Sequence, residues 1–185
     1  PRTRLERQRT AGPPHRRRRP LLAAAGALVA VLAAVLVLTG VTAGGDEPTV
    51  AGAATAALAA PGEQVPAPAT DDPRYVDRMV GGVRFPSYGK GWTAVGARVG
   101  HLGDRPVTTV TYGAPGARVG YAIVAGQPLS WPDGELRTTP GGTPVVAFHR
   151  DGALAVAWRR GGHTCVVASR DTTLPELMEF VDEPA

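Results

Sequence analysis

Two side chains near the end of the chain have the types and the spacing that nucleophilic chemistry requires. The segment GGHTCVVAS contains His163 and Cys165, two residues apart. An imidazole that takes the proton of a thiol turns the sulfur into a nucleophile. In a strand, residues i and i+2 lie on one face about 6–7 Å apart, so contact between them depends on their rotamers. His163 and Cys165 are therefore a candidate site in the C-terminal part of the chain, which is interpreted below as an outer domain.

A packing role competes with this chemistry. Cys165 is the only cysteine of the chain, so no intrachain disulfide can form. We favour the interpretation of Cys165 as a small buried hydrophobe. Two ligands do not make a metal site, and we predict no metal or other cofactor in this chain. Trp92, Trp131 and Trp158 could line a ligand pocket, but core or edge packing is the more frequent role in a small β domain.

The residues around this pair predict a three-strand meander over residues 144–169. The segments PVVAFHR, ALAVAWRR and HTCVVAS have the composition of strands. Asp151-Gly152 separates the first two and favours a type I′ turn. In the middle segment the large side chains alternate with small ones, which places Leu154, Val156 and Trp158 on one face.

Further strands and one helix complete the predicted outer domain over residues 71–185. RPVTTVTYG and RVGYAIVAG predict a hairpin and GWTAVGARVG predicts another strand, which gives roughly six strands in all. Thr173 and Glu176 fit a capping box at the start of a C-terminal helix. Its apolar stripe consists of Leu174, Leu177, Met178 and Val181. The outer domain is thus predicted to be a small α+β domain, an antiparallel β-sheet meander with a C-terminal helix.

The N-terminal part has the pattern of a membrane anchor. Residues 21–43 contain no charged side chain, and a helix needs about 20 such residues to cross a bilayer. We predict a single transmembrane α-helix over residues 20–43, with the anchoring leucines Leu21, Leu28, Leu32, Leu36 and Leu38. The positive-inside rule then places the basic segment 1–19 in the cytoplasm and the rest outside the cell membrane. The residues that set this topology are Arg16, Arg17, Arg18 and Arg19.

Three alternatives compete with the anchor. A wholly buried helix of a soluble domain is disfavoured by the adjoining arginines and by the Ala/Pro-rich residues that follow. A signal peptide cut after residues 41–43 stays open, although the apolar region of a signal peptide is shorter. A nucleic-acid arm is disfavoured because the positive-inside rule explains an arginine run beside a spanning segment more simply. Residues 1–19 have a net charge of +7, whereas the remaining chain has a net charge of −3, which argues against a folded domain that binds phosphate backbones. We therefore predict no direct contact with nucleic acid.

Residues 44–70 differ in composition from both neighbours. They are rich in Ala, Gly, Pro and Thr and almost lack large apolar side chains. Such a segment buries too little surface to offset the entropy of ordering its backbone, so it is predicted to be a flexible linker. A short Ala-rich helix over residues 51–60 is the alternative.

The chain also resembles the transmembrane anti-sigma factors of GC-rich bacteria over most of residues 80–185. The resembling features are Gly82-Val83-x-Phe85-Pro86, Gly91-Trp92, Val95-Gly96-Ala97-Arg98 and Trp158-x-Arg160-x-Gly162-His163-Thr164-Cys165. The segment PRTRLERQRT is similar to the one that follows the zinc-binding anti-sigma domain of that family.

The resemblance implies a membrane-anchored negative regulator of transcription, which is not an enzyme. Such a protein sequesters an extracytoplasmic-function sigma factor through a small helical domain, often with a His-x-x-x-Cys-x-x-Cys zinc motif. That domain is missing from these residues, so zinc and the sigma factor are expected to bind a preceding part. Release in the family often uses a site-1 protease and then an intramembrane protease, and we expect the first cut within residues 44–70.

Two other functions stay open at this point. One is a membrane-anchored cell-wall enzyme with Cys165 as nucleophile, since GGHTC resembles the S-x-G-C segment of L,D-transpeptidases, although Thr164 stands where that motif has Gly. The other is a plain anchored binding module.

Overall fold

The computed structural model describes residues 47–89 and 91–182. Within these residues the chain forms two helices and nine strands. The helices are α1 (Val50–Leu58) and α2 (Leu174–Val181). The strands are β1 (Tyr75–Val80), β2 (Val83–Pro86), β3 (Thr93–Leu102), β4 (Arg105–Ala114), β5 (Ala117–Val124), β6 (Glu135–Thr138), β7 (Pro144–Arg150), β8 (Ala153–Arg160) and β9 (His163–Ser169).

Seven of these strands form one antiparallel sheet in the order β3-β4-β5-β9-β8-β7-β6. The sheet consists of two meanders, β3–β5 and β6–β9, which are joined where β5 pairs with β9. The remaining strands, β1 and β2, form a separate hairpin. One edge strand, β6, has only four residues, and all of them are exposed.

The two faces of the sheet bury side chains of different size. On β8, Val156 and Trp158 lie in one core with Cys165, and Leu154 packs against it. Ala155 and Ala157 alternate with them and lie in the second core. The first face is covered by α2 and by the β1–β2 hairpin, and the second face by α1. The central strands β5, β8 and β9 are thus buried on both sides and are apolar on both faces as a consequence.

Helix α1 packs closely on the second face because both surfaces are made of small residues. Its buried alanines, Ala53, Ala54 and Ala57, share a core with the sheet alanines Ala122, Ala155, Ala157 and Ala168. At Gly120 of β5, an added Cβ would lie 1.8 Å from the carbonyl oxygen of Ala57. The hydroxyl of Thr49 accepts a hydrogen bond from the backbone N–H of Gly52 at 3.0 Å and caps the helix.

Residues 61–69, which we call the strap, connect the free edge of β3 to the hairpin. The backbone N–H of Ala97 donates to the carbonyl of Gln64 at 2.7 Å. Further along, the backbone N–H of Asp77 donates to the carbonyl of Ala67, also at 2.7 Å. The strap therefore satisfies backbone groups of an edge strand that would otherwise be exposed.

These observations correct the predicted fold class. The described part is mostly β-sheet with two helices, rather than an α+β domain whose only helix is C-terminal. Neither of its helices is long and apolar enough to cross a membrane. The predicted transmembrane segment over residues 20–43 lies outside the described residues, and so do its anchoring leucines and Arg16, Arg17, Arg18 and Arg19.

The prediction of a flexible linker over residues 44–70 is wrong for the described part of that range. Helix α1 and the strap occupy it, and the alternative of a short Ala-rich helix is confirmed. The error has a physical cause, because a small side chain buries little surface alone but allows close backbone approach when its partner is also small. Strands β1, β2 and β6 were not predicted either.

Other predictions are confirmed. The meander over residues 144–169 is formed by β7, β8 and β9. Asp151 and Gly152 have φ angles of 52° and 72°, as a type I′ turn requires. In α2, Leu177 and Val181 are buried, while Leu174 and Met178 pack against the same core.

We expect the close contact between α1 and the sheet to fail when Gly120 gains a methyl group. Gly120→Ala should destabilise the domain by about 1–3 kcal/mol, because the new atom collides with backbone rather than with a mobile side chain. Gly100→Ala is the matched control, since its Cβ would lie 3.9 Å from the nearest atom, Val107 Cγ1. Thermal unfolding of the full chain in detergent measures both. Equal midpoints for the two variants would contradict this packing.

The capping box of α2 predicts a pH dependence. The Glu176 carboxylate accepts the backbone N–H of Thr173 at 2.7 Å and its hydroxyl at 2.9 Å, and these bonds lower the pKa of Glu176 from 4.5. Its contribution is therefore complete above pH 4.5 and is lost as the pH falls through the lowered value. Glu176→Gln keeps a capping side chain without this titration. Its unfolding midpoint should change less with pH below 4.5 than that of the parent; parallel curves would count against the role.

Candidate functional site

His163 lies at the first position of β9, between two loops. Its Nδ1 atom is 3.1 Å from the backbone nitrogen and 3.2 Å from the carbonyl oxygen of Gly126. On the other side, a Cβ placed on Gly81 would be 2.1 Å from His163 Nε2. The imidazole therefore fills the space between the loop after β5 and the β1–β2 turn, which is a structural position.

Cys165 lies two residues further along the same strand and is completely buried. Its neighbours in the sheet register are Ile123 on β5 and Trp158 on β8. A reactive cysteine needs access to its substrate and surroundings that stabilise the thiolate, whereas an apolar core favours the thiol. The fold thus brings His163 and Cys165 to one face of one strand, and it buries the sulfur in the first core.

The three tryptophans occupy three different settings. Trp158 is 2 % exposed and belongs to the first core. Trp92 contacts the ring of Phe180 from α2, with centroids 5.0 Å apart. Trp131 is 38 % exposed and lies in the loop between β5 and β6. They do not line a common pocket; Trp131 alone among them presents much of its ring to solvent.

Trp131 has a cationic partner. The guanidinium carbon of Arg159 lies 4.5 Å from the centroid of the Trp131 ring, within the range of a cation–π contact. Arg159 also donates to the carbonyl of Leu129 at 3.4 Å, and the backbone N–H of Leu129 donates to the Thr164 hydroxyl at 2.8 Å. These bonds fix the loop on the sheet. No single motif of the sequence marks this pair, because its members are 28 positions apart.

Several chain segments meet at what we call the His163 end of the sheet. The antiparallel register brings together the end of β3, the start of β4, the end of β5 and the β8–β9 turn. Arg105 fastens the loop after β5 here, donating to the carbonyl of Ala125 at 2.7 Å and to that of Gln127. The loop with Trp131 and the N-terminal turn of α1 belong to the same end.

A groove of about 450 Å³ lies at the opposite end of the sheet, beside the C-terminus of α1. Arg118 and Arg170 line it together with Asp171, and small residues form its floor. Arg170 donates to the carbonyl of Asp151 at 3.4 Å. The Ser169 hydroxyl, at the end of β9, donates to the carbonyl of Arg118 on β5 at 2.6 Å. The groove is thus distant from His163 and takes no part in a His–Cys site.

The β1–β2 hairpin and the turn before it hold two exposed ion pairs. Arg84 lies 2.5 Å from Asp71, and its guanidinium holds the pKa of that carboxyl below the usual value. Arg74 lies 2.9 Å from Asp72 and lowers the pKa of that carboxyl in the same way. Exposed pairs of this kind contribute little to stability. Throughout residues 47–89 and 91–182, no group of three or more potential metal ligands was found.

The burial of Cys165 predicts slow thiol chemistry. In the native full chain, a maleimide should modify Cys165 at least about tenfold more slowly than in denaturant, because the sulfur reacts only after local opening. Ser130→Cys provides the matched control, since residue 130 is exposed in the loop beside Trp131. That variant should show one fast and one slow thiol. A fast reaction of Cys165 in the folded parent chain would revive the nucleophile hypothesis.

Comparison with known proteins adds no relative. No protein-family model, curated protein or solved structure matches the chain. The likeness to anti-sigma factors therefore rests on the short segments around Phe85, Trp92, Arg98 and Cys165.

Proposed function

We propose that the chain is the membrane-attached outer part of an anti-sigma factor, a negative regulator of transcription. The observation that supports this most is the order along the chain. Four arginines precede the uncharged residues 21–43, and a compact β domain begins a few residues later. In this proposal residues 1–19 lie in the cytoplasm and the described domain lies outside the membrane.

The residues shared with that family have positions that a common fold would preserve. Trp158 and Cys165 are register partners in the first core, and Phe85 of the hairpin is buried in the same core. Gly162 has a φ angle of 79° in the β8–β9 turn, where a glycine avoids strain. The likeness thus concerns core and turn positions, so it supports a related fold more directly than a shared ligand.

The proposal assigns different tasks to different parts of the protein. The sigma factor, and zinc where that motif is present, would be bound by a part that precedes these residues. The described domain would respond to conditions outside the membrane. Neither task requires this chain to bind nucleic acid or to catalyse a reaction.

Proteolytic release stays part of the proposal, with one added condition: the segment to be cut has to unfold first. A protease needs an unfolded stretch of substrate, and α1 and the strap hold residues 50–58 and 61–69 in the fold. A site-1 protease would cut there only after α1 leaves the sheet. The stability of the α1 contact would then control how readily the regulator is destroyed.

The enzyme alternative receives less support from the geometry. Its nucleophile, Cys165, is buried beside Trp158, and His163 is held by Gly126. If the chain were a plain binding module, Trp131 and the groove lined by Arg118 would be its candidate sites. Loss of such a module would leave transcription unchanged, which distinguishes it from our proposal.

Deletion of the gene in the bacterium that encodes the chain tests the proposal. We expect one set of promoters with a common recognition sequence to rise together, because the sigma factor is no longer held at the membrane. Restoring the gene should lower them again, and a Cys165→Ala version should do so equally well. An unchanged transcriptome would overturn the regulatory function. Altered cell-wall cross-links in the Cys165→Ala strain would favour the enzyme.

A further inference from the structure

The groove beside the C-terminus of α1 carries two positive charges that face each other across the sheet. Gly120 on β5 pairs with Ala168 on β9. Two further steps along this antiparallel register bring Arg118 opposite Arg170, and both arginines line the groove. Like charges at facing positions of neighbouring strands repel each other and destabilise a sheet. An anion shared by the two guanidinium groups would remove this repulsion.

No carboxylate of the described residues neutralises this pair. Neither Arg118 nor Arg170 belongs to an ion pair in that part of the chain, and the Arg170 side chain donates to the carbonyl of Asp151 at the long distance of 3.4 Å. The last turn of α1 is served by another arginine, since Arg98 donates to the carbonyl of Ala56 at 3.3 Å. The facing pair therefore keeps guanidinium N–H groups for a ligand.

The groove also holds negative charge. Asp171 lines it and, within residues 47–89 and 91–182, forms no ion pair. Leu58 at the end of α1 lines it as well. The last carbonyls of a helix have no intrahelical donor, and they give this end a partial negative charge. An inorganic anion would meet this negative charge, whereas a ligand that also has an ammonium group would gain from it.

Ser169 holds the two kinds of charge in place. This residue is only 1 % exposed, and its hydroxyl donates to the carbonyl of Arg118 at 2.6 Å. The same oxygen accepts the backbone N–H of Asp171 at 3.0 Å. One buried side chain thus fixes the backbone of a cationic and of an anionic residue. The groove has a volume of about 450 Å³, which is in the range of small-molecule sites.

We propose that this groove binds a small zwitterion of the size of a dipeptide, with both termini free. The carboxylate contacts Arg118 and Arg170, whose planar guanidinium groups offer charge-assisted hydrogen bonds. The ammonium group contacts Asp171 and the C-terminal carbonyls of α1. A single amino acid would fill only a small part of the groove. The inference concerns the described domain alone and does not depend on the proposed regulation of transcription.

Titration of the full chain with L-alanyl-L-alanine tests this site. The isotope-labelled chain is kept in an uncharged maltoside detergent, which adds no competing headgroup charge. The NMR signal of the Gly116 amide, in the groove, reports binding, and that of Gly126, at the His163 end, is the internal reference. The N-acetylated dipeptide lacks the ammonium group and the dipeptide amide lacks the carboxylate. The free dipeptide should have a Kd at least about fivefold lower than either blocked form.

Three variants assign the contacts. Arg118→Gln should raise the Kd of the free dipeptide at least about fivefold. Arg137→Gln is the matched control, because it removes the same charge from the exposed edge strand β6. Asp171→Asn should raise the Kd of the free dipeptide about twofold and leave that of the N-acetylated form unchanged, because only the ammonium group contacts this carboxylate. The amide spectrum of each variant verifies that the domain is folded.

The outcomes separate the zwitterion site from its alternatives. An unchanged Gly116 signal at about 20 mM free dipeptide, where a Kd of about 1 mM gives near saturation, would overturn the proposal. Equal binding of the N-acetylated form would indicate a plain anion site. Equal Kd values for Arg118→Gln and Arg137→Gln would place the dipeptide outside the groove, and both results refute the zwitterion site. None of these results changes the expected transcriptional effect of deleting the gene, so the two proposals fail separately.

Discussion

The close contact of α1 with the sheet determines the architecture of the domain. It exists because Gly120 and a set of alanines leave room for backbone to approach backbone, with Ala57 directly above Gly120. Each of these side chains buries little area, but together they exclude water from the middle of this face, over β4, β5 and β9. Without α1, that face would be an apolar surface of the kind that soluble domains rarely expose.

Large side chains pack on the other face of the sheet, and their packing determines how far Cys165 and His163 are buried. Trp158 contacts Tyr121 with ring centroids 5.1 Å apart, and Phe85 contacts Tyr121 at 5.0 Å. Cys165 lies within this aromatic layer as a small space-filling residue. His163 is on the same face but is the first residue of β9, so it lies at the rim, where two loops hold its ring.

Alternation and turn chemistry were sufficient to predict most of the central sheet. Asp151-Gly152 and the pattern around Trp158 located β7, β8 and β9, and Thr173 with Glu176 located α2. Helix α1 was missed as the main interpretation because its burial depends on Ala122 and Ala168, which are distant in sequence. The Trp131–Arg159 contact was missed for the same reason, since only the folded register brings a loop beside β8. Local patterns predict local structure, whereas surfaces formed between distant segments need the fold itself.

The treatment of the sheet edges has a consequence for the behaviour of this domain at high concentration. An open edge strand invites pairing with the edge of a neighbouring molecule, which leads to aggregation. At one edge the strap supplies partners to β3 near Ala97. At the other, β6 is only four residues long and holds Glu135 and Arg137 as an ion pair at 2.6 Å. Pairing between the sheet edges of two copies of this domain is therefore disfavoured, and neither β3 nor β6 is a long open template for a further strand.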